Sequence, residues 1–241
     1  EGYHISHSPH PLSLGSAMCN RYITTDFSES QLELITPPLT GNKSCFEILD
    51  NIHHFVSRNI DDQILWPFSM PPEIRSDDDI PIGLYGNSHE GRFKHIYRVG
   101  LANRYGRSMQ SISGFHFNYS LPRNLWNYSN SHDQLKINQL RNYSYFNILR
   151  NIHKMNWLLI YLFGASPIIE KSLITRDEDS FERLDDNFYF LPNATSLRMS
   201  EYGYSNADRR NIPISINSMD QYIVDLRKAA STVDKKYLHF N

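Results

Sequence analysis

The sequence predicts a mixed α+β fold, and the order of its helical and strand patterns is the main evidence. Apolar residues follow helical spacing in four segments: 44–59, 89–105, 133–163 and a last one that opens at Ser218. Between them, residues 107–121 alternate in polarity and residues 188–192 read FYFLP, both typical of strands. The patterns intermingle without the regular alternation of parallel βαβ units, which favours α+β over a doubly wound fold.

Local signals indicate where these elements begin and end. Ser44 and Glu47 form the Ser-x-x-Glu pattern of a capping box, which predicts a helix start at Ser44. Gly106 is expected to close the second helix and Gly164 the long third one. Residues 66–86 are rich in proline and end in glycine, so loops and turns are predicted there.

Composition and charge exclude several classes of protein. The 241 residues are 40% hydrophobic and 13% aromatic, which is enough for a sizeable core. Lys and Arg number 24 against 26 Asp and Glu, so no strong field selects nucleic acid or an anionic membrane. Cys19 and Cys45 belong to no metal or redox motif and are interpreted as structural thiols of a reducing compartment. The first residues lack a secretory pattern, and Glu1 is not expected to be the natural N-terminus, so a cytoplasmic location is predicted.

Known nucleotide and protease motifs are absent from the sequence. It contains no GxxxxGK[ST] phosphate loop, no GxGxxG after a strand, no HExxH and no GxSxG. Nucleotide chemistry in this chain would therefore need a site made of metal and carboxylates.

The predicted strand at 107–121 carries the most informative pattern. One face presents Gln110, Ile112, Gly114 and His116. A glycine inside a strand often marks the close approach of a ligand or of another backbone. This face either meets a ligand or is exposed to solvent with a structural histidine.

The segment 23–38 carries three carboxylates among apolar neighbours: Asp26, Glu29 and Glu33. Carboxylates are oxygen ligands suited to Mg²⁺. The β-branched ends favour a strand, in which Asp26 and Glu33 would lie on opposite faces unless a bulge intervenes. Solvated acids on a half-exposed strand are the alternative.

Other polar and aromatic residues have structural explanations on pattern alone. Tyr97 and Leu101 lie one helical turn apart, which is usual for core packing. Arg198 offers a planar fork that matches a carboxylate, and it lies with Tyr204 in a segment rich in Ser and Thr. A lone arginine is more often a surface residue than a substrate ligand.

Seven runs together resemble the bacterial type of glutamate–cysteine ligase. In order along the chain they are HPLSLGSAM, YITTDFSESQLELITP, WPFSMP, GRFKHIYRVGLANRYG, MQSISGFHFNYSLP, YLFGASP and ATSLR followed by GY. The resemblance covers about residues 10–204 and continues more weakly to the last helix.

The resemblance implies a fold, a reaction and a set of site residues. The fold would be part of a glutamine-synthetase-like, curved antiparallel catalytic sheet with flanking helices. The enzyme would use ATP to phosphorylate the γ-carboxylate of L-glutamate, and the amine of L-cysteine would then attack the acyl phosphate, with Mg²⁺ or Mn²⁺ as the metal. Metal ligands would be Asp26, Glu33 and His116. The substrate pocket would contain Tyr97, Leu101, Gln110, Arg198 and Tyr204, with Ile112 as an apolar wall of the nucleotide site.

The resemblance also implies that residues 1–241 are one piece of a larger catalytic domain. The family's Glu-x-Glu metal strand would precede this chain and a long second half would follow it. The complete enzyme is expected to be a monomer that binds neither nucleic acid nor membrane. The alternative is a non-catalytic amino-acid-binding module that lacks a complete metal site.

Overall fold

The structure is a computed structural model that describes residues 4–128, 134–164, 166–174, 178–200, 202–203, 213–233 and 238. Its helices and strands are β1 (Ile23–Thr25), β2 (Leu32–Leu34), α1 (Asn42–Ser57), α2 (His89–Tyr105), α3 (Arg107–Ser111), α4 (Gln134–Phe163), β3 (Ile168–Glu170), β4 (Glu182–Arg183), β5 (Phe188–Phe190) and α5 (Met219–Ser231). Short 3-10 helices, among them Leu12–Leu14 and Asp77–Asp79, lie in the connecting loops.

Both sheets of the described chain are small and antiparallel. β1 pairs with β2, with Thr24 opposite Glu33. β5 lies between β3 and β4 in the second sheet. Helices and strands alternate irregularly along the chain, and the predicted α+β class is confirmed.

The chain divides into two compact units. The first contains residues 1–115 and 165–204, and the second contains residues 116–164 and 205–241. In the second unit, Phe146 of α4 packs edge-on against Tyr222 of α5, with the ring centroids 5.8 Å apart. No helix in the described part of the chain is long and apolar enough to cross a membrane. The sequence interpretation of the chain as one piece of a larger domain stays a prediction.

Two apolar clusters form the core of the first unit. One joins β1 to α1 and contains Leu14, Ile23, Ile52, Val56 and Ile60. The other contains Phe27, Ile74, Ile80, Met109, Ile112, Ile169, Leu173, Phe181, Leu197 and Tyr202. Ile23 of β1 belongs to the first cluster, and Phe27, just after β1, belongs to the second, so β1 and the turn after it pack in both clusters.

All four predicted helices are confirmed, and local signals set the ends of three of them. Ser88 caps α2 by accepting from the amide of Gly91 at 3.0 Å, and Ser218 caps α5 in the same way. α2 ends at Gly106, whose φ of 85° is the left-handed backbone that favours glycine. α4 ends before Gly164, as predicted.

The predicted capping box of the first helix is wrong. α1 already begins at Asn42, after Gly41, and no side chain caps its first turn. Ser44 and Glu47 therefore lie inside the helix, and Ser44 is not the residue before its first turn.

The predicted strand at 107–121 is also wrong. Residues 107–111 form α3, and residues 113–122 belong to no helix or strand of the described chain. Asp77 explains the helix, because its carboxylate accepts from the amides of Arg107, at 3.0 Å, and Ser108, at 2.7 Å. A residue some thirty positions away thus satisfies the first turn and outweighs the alternating pattern.

The segment 23–38 forms a hairpin rather than one continuous strand. β1 ends at Thr25, a turn through Ser28 and Glu29 reverses the chain, and β2 begins at Leu32. The reversal replaces the bulge that a single strand would have required.

Candidate active site

The hairpin of β1 and β2 brings two of the predicted metal ligands to one face. Asp26 directly follows β1, and its amide donates to the carbonyl of Gln31 at 2.9 Å. Glu33 lies in β2 and pairs with Thr24 of β1. Thr24 is two residues before Asp26. Residues two apart share a face of a strand, so Asp26 and Glu33 are diagonal neighbours across the hairpin. Asp26 is half-buried and Glu33 is exposed.

Glu29 is the buried carboxylate of this hairpin, 9% exposed. One of its oxygens accepts from the amide of His10 at 2.8 Å, and the other accepts from the amide of Leu84. Both oxygens are thus bonded to backbone, and Glu29 ties the hairpin turn to the segment before β1 and to the loop before α2. This arrangement positions the turn.

His10 packs on the same part of the hairpin. Its Nδ1 lies 2.9 Å from the hydroxyl oxygen of Thr25. Burial lowers the pKa of His10 from its ordinary value of 6.5, while the charge of Glu29 and the backbone of Gly15 act in the opposite direction. The folded chain therefore favours the neutral imidazole.

Tyr85 joins the loop before α2 to the hairpin. Its hydroxyl donates to the carbonyl of Thr25 at 2.9 Å and also to the carbonyl of Asp26. Burial raises the pKa of this hydroxyl well above its ordinary value; the charge of Arg98 opposes the shift, and three carboxylates, Asp26, Glu29 and Glu33, add to it. Tyr85 therefore remains a neutral donor close to the acidic hairpin.

α2 is bonded to the same hairpin through Arg98. The Nε of Arg98 donates to the carbonyl of Asp26, and its guanidinium lies over the ring of Tyr85, 4.6 Å from the centroid. Two predicted pocket residues flank it on this helix. Tyr97 is exposed, and Leu101 packs against the larger apolar cluster. The hairpin and these two residues consequently belong to one fixed arrangement.

Gln31 connects the hairpin to the segment that follows α3. Its side-chain amide donates to the hydroxyl of Ser113 at 3.0 Å and to the carbonyl of Gln110 at 3.4 Å. Gln110 lies in α3 and Ile112 directly follows it, 4% and 3% exposed respectively. Both predicted pocket residues are thus buried in this structure.

Arg198, which is far along the sequence, contacts the same segment after α3. Its guanidinium donates to the carbonyl of Ile112. The preceding Leu197 is buried in the core, and its amide donates to Ser166 at 3.2 Å. This hydrogen bond joins two predicted site residues that are 86 positions apart in the sequence.

His116 and Tyr204 are the two remaining predicted site residues. His116 is exposed and belongs to the second unit, whereas Asp26 and Glu33 belong to the first. Tyr204 lies outside the described residues. Among the residues that the structure describes, no group of three His, Cys, Asp or Glu is placed to hold a metal ion. The metal set Asp26, Glu33 and His116 stays a prediction.

Sequence reasoning missed several residues that organise the site. The sequence pattern groups Glu29 with its acidic neighbours without giving it a role, and it does not single out Gln31, Tyr85 or Arg98. Weak signals exist for two of them. Tyr85 precedes Gly86 at the end of a loop, and Arg98 lies next to Tyr97 on the predicted helix.

Comparison with solved structures shows a fold found in ligases. Glutamate–cysteine ligase from Francisella tularensis, solved in complex with AMP, matches with a TM-score of 0.86 and 38% identity, over 98% of this chain and 46% of that chain. A bifunctional glutathione synthetase from Pasteurella multocida matches with a TM-score of 0.72 and 29% identity, over 95% of this chain and 28% of that chain. This chain thus shares its fold with part of a glutamate–cysteine ligase and part of a bifunctional glutathione synthetase.

Sequence comparison identifies the particular family. The profile of the glutamate–cysteine ligase family matches residues 1–241. The chain is 43% identical over 236 residues to the enzyme of Alcanivorax borkumensis and 42% identical over 233 residues to that of Azotobacter vinelandii, covering 97% and 95% of this chain. The chain belongs to the glutamate–cysteine ligase family. It spans about half the length of these relatives, 45% and 44%.

Proposed function

We propose that the complete gene product containing this chain joins L-glutamate to L-cysteine in an ATP-dependent reaction that yields γ-glutamylcysteine. The γ-carboxylate of glutamate receives the terminal phosphoryl group of ATP, which leaves ADP. The amine of cysteine then attacks the acyl phosphate, and the new amide forms as phosphate leaves. Family membership supports this reaction, and the complex of the F. tularensis relative with AMP supports a nucleotide site.

The observation that carries the proposal is the continuous set of contacts in the first unit. Arg98 and Tyr85 bond to the acidic hairpin, Gln31 bonds the hairpin to the segment 110–113, and Arg198 bonds to Ile112 in that segment. A cationic group for a substrate carboxylate and acidic groups for a metal are thereby connected through one framework. Preorganisation of this kind is what phosphoryl transfer requires, because most of its catalysis is positioning and charge stabilisation.

Each residue has a role that its chemistry permits. Arg198 would bind a substrate carboxylate through its planar fork. Tyr97, Leu101 and Gln110, together with Tyr204, would line the amino-acid pocket, and Ile112 would contact the nucleotide.

The donor set of the hairpin fits a hard divalent cation. Carboxylate oxygens are the ligands that Mg²⁺ prefers, and Asp26 and Glu33 lie on one face. We propose these two residues and His116 as ligands from this chain, with Mg²⁺ or Mn²⁺ as the metal. The metal would neutralise charge on the phosphates. A cytoplasmic location and a monomeric state complete the proposal.

Steady-state kinetics of the complete gene product test the function. Product would be identified by mass after incubation with glutamate, cysteine and Mg-ATP. Arg198→Ala should weaken binding of one amino acid by about 2–5 kcal/mol, since a desolvated carboxylate loses its charged partner. Arg198→Lys should recover only part of this, because it keeps the charge but not the fork.

A matched control separates this role from a general effect of removing charge. Arg183→Ala removes an arginine that is exposed on β4 and paired with Asp186, so its kinetics should match wild type. Wild-type kinetics for Arg198→Ala would exclude Arg198 from the pocket. Binding of amino acids without turnover by the complete protein would contradict the ligase function and favour a binding module.

A further inference from the structure

Gly114 lies directly beneath the guanidinium of Arg198. A Cβ built on this glycine would be 3.6 Å from Cζ of Arg198 and 3.8 Å from both Nε and Nη1. These are ordinary van der Waals distances. The flat face of the guanidinium therefore occupies the space next to the position where any other residue would carry a side chain.

A second contact fixes the edge of the same guanidinium. Nη1 of Arg198 donates to the carbonyl of Ile112, two residues before Gly114. A hydrogen bond thus holds the group at its edge, and a Cβ at position 114 would just contact it. A guanidinium binds a carboxylate with two parallel hydrogen bonds only when its plane has the correct orientation.

The backbone of Arg198 is held as closely as its side chain. A Cβ on Gly203 would lie 2.1 Å from the carbonyl oxygen of Arg198 and 2.7 Å from that of Leu197. The amide of Gly203 also donates to Ser200 at 3.1 Å, which closes the turn that follows Arg198. Only glycine fits at position 203, so the chain after Arg198 folds back tightly on it.

We propose that Gly114 is a positioning residue that sets the affinity of Arg198 for the carboxylate of an amino-acid substrate. This inference rests on the proposed function, in which Arg198 binds such a carboxylate. A residue no larger than alanine at position 114 leaves the guanidinium in place while it bonds to Ile112. A larger residue at this position displaces the guanidinium and lowers amino-acid affinity without touching the substrate itself.

The loss of amino-acid affinity should therefore increase with the size of the side chain at position 114. Alanine adds only the Cβ, at an ordinary contact distance from Arg198, and should be tolerated. Valine adds methyl groups about 1.5 Å beyond that Cβ, the length of a carbon–carbon bond. Since the Cβ is already at contact distance, a methyl group directed toward Arg198 would displace the guanidinium.

The experiment measures kcat and KM of the complete gene product for glutamate, cysteine and ATP. Gly114→Ala should stay within about twofold of wild type in every constant. Gly114→Val should raise KM for one amino acid about tenfold while leaving KM for ATP unchanged. A merely structural defect would instead alter all three KM values or reduce the amount of active enzyme.

A double-mutant cycle decides whether Gly114 acts through Arg198. In the Arg198→Ala background, Gly114→Val should change the same KM by less than about twofold, because the group that it displaces is gone. An equal rise in both backgrounds would overturn the inference. If Gly114→Val does not fold, Gly114→Ser is put through the same cycle, with an expected rise of about threefold in the wild-type background alone.

The two proposals fail in distinguishable ways. If Arg198→Ala leaves KM for both amino acids unchanged, the assignment of Arg198 in the proposed function is wrong and the inference falls with it. If Arg198→Ala raises KM but neither Gly114→Val nor Gly114→Ser does, only the role of Gly114 is overturned.

Discussion

Glu29 is buried and joins three segments of the first unit, so its substitution tests whether backbone bonding or metal binding explains its burial. The change is Glu29→Gln, which keeps the size of the side chain. The carboxylate accepts from two amides, those of His10 and Leu84. A glutamine can accept from only one of them, because its other terminal atom is an NH₂ donor that would face a second N–H group.

The expected loss follows from these two bonds. A hydrogen bond to a charged group contributes about 1.5–3 kcal/mol, and a buried donor left without an acceptor costs a similar amount. The bond that survives becomes neutral and weaker. We expect Glu29→Gln to lower the free energy of unfolding by about 2–4 kcal/mol.

Urea unfolding of the complete gene product, with EDTA and with Mg²⁺, measures this loss. Glu33→Gln is the matched control from the same hairpin, because Glu33 is exposed. It should change stability in EDTA by less than about 0.5 kcal/mol. Equal stability of the two variants in EDTA would refute the backbone-bonding role of Glu29. A loss seen only with Mg²⁺ would identify Glu29 as a metal ligand instead.

Three further predictions concern pH, metal and the start of α3. Folding lowers the pKa of His10 below 6.5, so the unfolded chain binds more protons and stability should fall as pH drops below about 6.5. The fall should be smaller in His10→Gln. Unfolding at pH 7.5 and 5.5 measures the fall in each protein, and equal falls would contradict this role of His10. His116→Ala should weaken Mg²⁺ activation of the complete gene product without unfolding it, and an unchanged metal titration would remove His116 from the metal set. Asp77→Ala should lower stability by about 1–2 kcal/mol through loss of its bonds to α3. Asp78→Ala is the control: its side chain is exposed in an ion pair with Arg107, and its loss should have almost no effect. Urea unfolding measures both variants, and a match of both to wild type would refute the capping role.

The elements that were predicted correctly are those whose information is local. α2, α4 and α5 each combine helical spacing with a nearby stop or cap, such as Ser88 before α2 and Gly164 after α4. Helical and capping hydrogen bonds join residues only three or four positions apart, so a short stretch of sequence is enough to predict the helix and its ends. The family resemblance was likewise readable from seven short runs.

The errors arose where distant residues decide the local structure. Residues 107–111 alternate like a strand, yet Asp77 caps them as a helix. Residues 23–38 match a strand pattern when they are taken alone. Only the antiparallel pairing of β1 with β2 shows that the chain reverses between Asp26 and Glu33.

The amino-acid sequence by itself therefore determined the α+β class, four helices and the residue types of the candidate site. Tertiary structure alone decided that Glu29 binds backbone, that Gln31 bonds to the segment after α3, and that Arg198 lies against Gly114. The physical reason is the range of the interactions. Periodicity reports which face of an element is apolar, whereas a hydrogen bond between residues 86 positions apart, as between Arg198 and Ile112, leaves no periodic trace in the sequence.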